Sequence, residues 1–141
     1  MSRQDRTLNR DRVVVGISGG VDSSVAALLL QLAGYTVHGV AFNTWRAKPE
    51  LGDVLPQARK VAAHLKIPLV YRDLQETFYE KVVSPFLDAY AQGRTPNPCI
   101  FCNPTLKFAT LLEAADQLGI YWIATGHYAR VVHRADGPSQ L

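Results

Sequence analysis

The chain has 141 residues, 48% of them hydrophobic and 19% charged, with a formal net charge of +3. That composition suits one domain with one core, and it excludes a low-complexity chain. The longest apolar run, Val25 to Leu30, is too short to cross a membrane, and the first twelve residues carry no apolar segment of a secretory signal.

Residues 1–12 alternate arginine with polar residues and read as a flexible tail. A folded domain is expected over 13–133, and a loose polar end over 134–141. The first strand is predicted over 13–17, apolar throughout, as in a central parallel strand covered on both faces. It runs into Gly16-Ile17-Ser18-Gly19-Gly20, and a helix opens at Val21. A strand feeding a glycine-rich turn that opens a helix is the usual build of a phosphate site, because the backbone can approach the anion and free N–H groups point at it. The Walker lysine is missing, and the spacing is not G-x-G-x-x-G. What remains is S-G-G-V-D-S, Ser18 to Ser23.

Val21, Val25, Leu28, Leu29 and Leu32 follow helical spacing, and Gly34 closes that helix. A second strand is predicted over 35–42, then a polar loop over 43–52 with Trp45, Arg46, Lys48 and Pro49. Val54, Leu55, Ala58, Val61, Ala62 and Leu65 form the stripe of the next helix, and a third strand covers 68–74. Residues 75–92 read as helical with a break at Ser84-Pro85, giving two short helices or a kink.

A loop is predicted over 93–103, stiffened by Pro96 and Pro98 and holding Cys99-x-x-Cys102. Asn103-Pro104 then reads as a helix start, and the helix runs to Gly119. Cys102 just ahead of that start should have a lowered thiol pKa, with Lys107 and Arg94 adding positive charge. In a chain with no secretory signal, such a pair points to reactive or metal-binding use in a reducing, cytoplasmic setting, over the alternative of two small buried hydrophobic residues. A zinc site needs two more ligands, and nothing in the spacing favours His127 or His133; His38 and His64 read as structural or surface residues. The last strand is predicted over 121–125, ending in Gly126-His127-Tyr128.

Strands alternating with helices give an α/β fold, a doubly wound, mostly parallel sheet. Right-handed crossovers bring the loops after Phe42, Leu74 and Thr125 to the edge that holds the glycine turn, where such sheets bind ligands. A dehydrogenase of this class is disfavoured, because Asn43 and Thr44 stand where the ribose-binding acidic residue belongs.

S-G-G-V-D-S after a strand resembles the PP-loop of the ATP pyrophosphatases. Together with G-R-T-P-N-P-C-x-x-C-N, L-K-F and A-T-G-H-Y-A-R, it is similar to the N-terminal PP-loop domain of the tRNA-specific 2-thiouridylase family (MnmA/TrmU), from Val13 to Val131. The resemblance implies a cytoplasmic sulfurtransferase. ATP adenylates the C2 oxygen of a wobble uridine in tRNA, and a sulfur carried as a cysteine persulfide displaces AMP. It implies ATP held by Gly16, Ile17, Ser18, Gly19, Gly20, Val21, Asp22 and Ser23, with Phe42 against the adenine and Gly126 beside it. Asp22 becomes a catalytic Mg²⁺ partner and Cys102 the first catalytic cysteine. Asn97, Pro98, Cys99 and Lys107 meet the target base, and a desulfurase-relay protein supplies the persulfide.

Many members of that family have Asp where this chain has Cys99. Cys99 and Cys102 resemble variants with a [4Fe-4S] cluster, whose third cysteine is absent here; a disulfide or free thiols are the other outcomes. Family members are more than twice as long, so thiolation by this chain alone is expected to be absent or very weak. Two other readings stay open: another PP-loop enzyme that amidates its adenylated substrate, or an inactive nucleotide- or metal-binding module.

Overall fold

The computed structural model describes residues 8–44, 54–129, 132–133 and 137. Four strands form one sheet: β1 (Asn9–Gly16), β2 (Thr36–Asn43), β3 (Leu69–Asp73) and β4 (Ile120–Ala124). Their spatial order is β3-β2-β1-β4, and every pairing is parallel. The expected doubly wound α/β fold is therefore present. The order reverses at β1, between β2 and β4, so the crevice at the C-terminal ends of β1 and β4 is the place for a ligand.

Helices cover both faces. α1 (Val21–Leu32) and α2 (Val54–Leu65) lie on one, where Val13, Val15, Ile17, Ala27, Ala41, Ala58 and Ala62 form a core. On the other lies α4 (98–117), whose Leu111, Ala114 and Ala115 pack on Val14, Val40 and Ile120. Successive residues of β1 thus feed opposite cores, the period-two consequence of burial on both faces.

The structure changes four expectations. β1 begins at Asn9, so residues 9–12 belong to the sheet and not to the tail. Their side chains are exposed, so no hydrophobic signal marks them, and the backbone pairing of Arg12 with Thr36 and the Asn9 N–H bond to the Gly119 carbonyl at 2.8 Å hold them.

In α1 the predicted core stripe faces outward: Val21 is 76% exposed, Leu29 59% and Leu32 75%. Ser23 and Ala27 are buried instead. Apolar residues recur on more than one side of the helix from Val25 to Leu32, so their period selects no single face. Small residues let it approach the sheet closely, and the glycine turn fixes its entry.

The chain remains helical over α3 (75–91). A π-helical segment, Tyr79–Val83, precedes Pro85, and Ser84 has helical angles (φ −59°, ψ −50°) with no capping role. Proline has no N–H and crowds the carbonyl four residues back, and a wider turn accommodates both.

Pro104 repeats the device. It sits in the π-helical segment Asn103–Phe108 inside α4, between the helical stretches Pro98–Cys102 and Ala109–Gln117. The helix begins at Pro98, and Asn97, not Asn103, is its cap: Asn97 Oδ1 accepts the Cys99 N–H at 3.1 Å. The sequence holds two Asn-Pro signals, and the fold uses the first.

The loop expected after β2, with Trp45, Arg46, Lys48 and Pro49, lies outside the described residues, as does most of 134–141.

Candidate functional site

The turn after β1 is held by its own serines. Ser23 Oγ accepts the Ser18 N–H at 3.2 Å, lies 3.1 Å from Ser18 Oγ, and donates to the Gly20 carbonyl at 3.2 Å. Ser18 Oγ accepts the Gly20 N–H at 3.3 Å. The hydroxyls thus lock the loop shape before any ligand arrives. The Ser24 N–H makes a helical bond to the Gly20 carbonyl at 3.3 Å, so the Val21, Asp22 and Ser23 amides, in the first turn, have no acceptor within α1 and can donate to an anion.

Gly19 has φ +81°, the left-handed region that favours glycine, and a Cβ there would lie 2.5 Å from Cβ of Gln57 on α2. Gly126, after β4, has a different reason to be glycine. Its Cβ would stand 2.7 Å from the Ser23 nitrogen and 2.8 Å from the Asp22 carbonyl carbon. Backbone after β4 therefore lies directly on the first turn of α1.

Between these two turns is a cavity of about 460 Å³, within the range of small-molecule sites. Of the residues expected to hold ATP, Gly16, Ile17, Ser18, Asp22, Ser23, Phe42 and Gly126 line it. Gly19 is turned to α2, Gly20 caps α1, and the Val21 side chain faces solvent, so these three shape the loop without lining the cavity. Thr44, Lys107, Leu111, Thr125 and His127 complete the wall. His127 Nδ1 and Thr125 Oγ1 share a hydrogen bond of 2.8 Å, and the His127 ring lies 5.8 Å from that of Phe108. Asp22 Oδ1 accepts a bond from the Tyr128 hydroxyl at 3.0 Å, across 106 positions of sequence. Sequence reading missed Thr44, Leu111, Thr125, His127 and Tyr128 as site residues; only the A-T-G-H-Y motif carried a signal, for the last three.

The cysteine region is separate from this cavity. Cys102 is 6% exposed, in a cluster with Val82 and Leu106 that joins α3 to α4, with Leu74 and Phe78 against it. Because α4 starts at Pro98, Cys102 lies beyond the first turn, and the expected lowering of its pKa is overturned. Burial pushes the thiol above its ordinary 9.0, Lys107 pulls it down, and Cys99 pushes it up. Cys99 is exposed, and both cysteines are free, so no disulfide joins them. Asn97 is spent on capping. Pro98 lines a second cavity, of about 590 Å³, with Lys81, Val82, Phe86, Arg94 and Pro96. Lys107 is not among its residues and lines the first cavity instead.

One carboxylate, Asp22, faces the first cavity, and the described residues contain no group of three or more His, Cys, Asp or Glu able to hold a metal. This fits Mg²⁺, which binds through one or two carboxylates plus substrate phosphates. The two cysteines expected at an iron–sulfur cluster differ in setting: Cys99 faces solvent, and Cys102 is enclosed by apolar side chains. No helix among the described residues is long and apolar enough to cross a membrane.

The family described as "tRNA methyl transferase HUP domain" matches residues 11–141. Curated relatives include the tRNA-specific 2-thiouridylase MnmA of Syntrophotalea carbinolica, 51% identical over 85% of this chain and 35% of that protein. Proteins of the same name from Thermus thermophilus and Clostridium perfringens are 49% and 44% identical, over 84% and 95% of this chain and 36% and 40% of theirs. The chain thus spans little more than a third of the length of these relatives. Among solved structures, NMN synthetase from Francisella tularensis superposes with a TM-score of 0.54 at 23% identity, covering 79% of this chain and 43% of that one. A predicted tRNA methyltransferase subunit from Methanocaldococcus jannaschii gives 0.52 at 18%, covering 81% and 66%. These two likenesses concern the fold.

Proposed function

The chain belongs to the tRNA methyl transferase HUP domain family, and on that premise we propose that it is the nucleotide-activating part of a tRNA 2-thiouridylase. One observation carries the reading: the S-G-G-V-D-S turn and the A-T-G-H-Y turn, far apart in sequence, meet backbone to backbone at Gly126 and Ser23 beside the cavity.

The chemistry needs what this cavity offers. The C2 oxygen of a uridine is an impossible leaving group until ATP adenylates it with release of pyrophosphate. The amides at the start of α1, the Ser18 and Ser23 hydroxyls and the Lys107 ammonium stabilise charge on the pyrophosphate side. Asp22 would hold Mg²⁺, which would supply a counter-charge for the leaving group. Phe42 gives the adenine an apolar face, and Leu111 closes the floor.

The second cavity, where Lys81 and Arg94 supply charge and Phe86, Pro96 and Pro98 supply apolar surface, suits RNA flanking the target base, whose C2 oxygen itself has to reach the nucleotide in the first cavity. A base reaches such a site only out of its stack. Cys102 lies behind the wall shared with the second cavity at Val82. It is the thiol that takes part in sulfur transfer, with burial disfavouring its thiolate and Lys107 favouring it. The sulfur itself comes from a persulfide donor, and the setting is cytoplasmic. By itself this chain binds the nucleotide, and thiolation is absent or very weak.

Calorimetry with Mg²⁺ and ATP tests this, on the chain and on Asp22→Ala. Saturable binding that the substitution weakens at least ten-fold supports the reading. A folded chain that binds no nucleotide overturns it.

A further inference from the structure

We propose that Tyr128 is a positioning residue of the nucleotide site, whose hydroxyl fixes the Asp22 carboxylate in direction for the metal–phosphate end of the ligand. The inference rests on the nucleotide reading above and goes one residue further.

Tyr128 is 90% exposed, so packing does not account for where its ring lies. Its hydroxyl nevertheless donates to Asp22 Oδ1 at 3.0 Å. The backbone two residues earlier is pressed against Asp22 and Ser23 at Gly126, which sets the short span between the two side chains. The segment is tied again at His127, whose N–H and ring nitrogen both engage Thr125 Oγ1, at 3.4 and 2.8 Å. Tyr128 is therefore presented to Asp22 by a braced turn, not by a free loop.

The chemistry of the pair suits orientation. A tyrosine hydroxyl is a donor at neutral pH and an ionised carboxylate an acceptor, so the bond runs from Tyr128 to Asp22. The bond engages one carboxylate oxygen and leaves the other for a cation. Magnesium demands near-octahedral geometry, so a carboxylate fixed in direction binds it with less ordering cost than a freely rotating one. Tyr128 itself need not touch the ligand.

The test is calorimetry of Mg²⁺–ATP and of AMP without metal, on the unaltered chain, Tyr128→Phe, Asp22→Ala and the double variant. Tyr128→Phe removes only the hydroxyl of an exposed residue, so its melting temperature should match that of the unaltered chain. Expected is a weakening of Mg²⁺–ATP binding by about three- to ten-fold, from the lost pre-orientation of one carboxylate. AMP binding should be unchanged, and Tyr128→Phe should add nothing in the Asp22→Ala background. Unchanged Mg²⁺–ATP binding, an equal loss for AMP, or the same loss without Asp22 each overturns the assignment while leaving the nucleotide reading intact. An unaltered chain that binds neither ligand overturns both.

Discussion

Lys107 and Cys102 lie five residues apart on α4, face different surroundings, and still act on each other. Lys107 lines the cavity with Ser18, Asp22 and Ser23, whereas Cys102 is enclosed with Val82 and Leu106. The π-helical segment Asn103–Phe108 connects them, in a turn where bonds run from residue i to i+5. The ammonium favours the thiolate, against the burial that disfavours it. Lys107→Met should therefore raise the thiol pKa further and slow alkylation of Cys102 at a fixed pH near 8. Iodoacetamide kinetics in a Cys99→Ser background measure this, and an unchanged rate would show that the ammonium does not reach the thiol.

The same burial gives a pH dependence of stability. A thiol whose pKa is raised in the fold stabilises the chain fully below its unfolded value, the ordinary 9.0, and loses that contribution as pH rises through the folded value. His38 works in the opposite sense. Burial and then Arg12 lower its pKa from 6.5, so its contribution is present above 6.5 and lost as pH falls through the folded value. Urea unfolding across pH should show an alkaline loss that Cys102→Ala flattens and an acid loss that His38→Phe flattens. Curves of identical shape for the unaltered chain and the variants would refute both attributions.

Gly126→Ala should damage the site more than the core. The new methyl carbon meets backbone, the Ser23 nitrogen at 2.7 Å, so either the start of α1 or the turn after β4 must shift. The expected cost is about 1–3 kcal/mol, as for overpacking, together with at least a ten-fold loss of ATP affinity. Wild-type affinity in this variant would mean that the two turns need not touch.

Leu111 belongs to both the core and the cavity. It is fully buried, lines the cavity, and lies 3.5 Å from where a Cβ on Gly16 would be. Leu111→Ala should cost about 2–5 kcal/mol. Denaturant unfolding reads that cost, and a loss below about 1 kcal/mol would contradict the packing of α4 on β1.

The orientation of α1 is open to the same kind of measurement. Leu29→Ser and Leu32→Ser remove residues of the predicted core stripe that the structure exposes, and each should change stability by less than about 0.5 kcal/mol. Ala27→Leu, at a fully buried position, should cost about 1–3 kcal/mol. The reverse ranking would restore the stripe to the core.

The sequence alone determined the α/β class, the parallel strands and the glycine-rich turn between β1 and α1, and the family match over residues 11–141 bears out the resemblance drawn from its motifs. These features are local. Val13 to Val15 are apolar because both faces of β1 are covered, and a turn like Gly19's needs glycine whatever packs around it. Tertiary structure alone decided which face of α1 is buried, because a helix with apolar residues on more than one side has no preferred face until Ser23 and Ala27 meet the sheet. It also decided which Asn-Pro pair starts α4. Both pairs carry the same local signal, but Asn103-Pro104 lies in the stretch whose Cys102 and Leu106 are packed against α3. The helix therefore continues through Pro104 in a wider turn, and Cys102 becomes a buried thiol instead of an activated one at a helix start. The bond from Tyr128 to Asp22 likewise exists only because the sheet order places β4 beside β1, which no spacing along the chain could state.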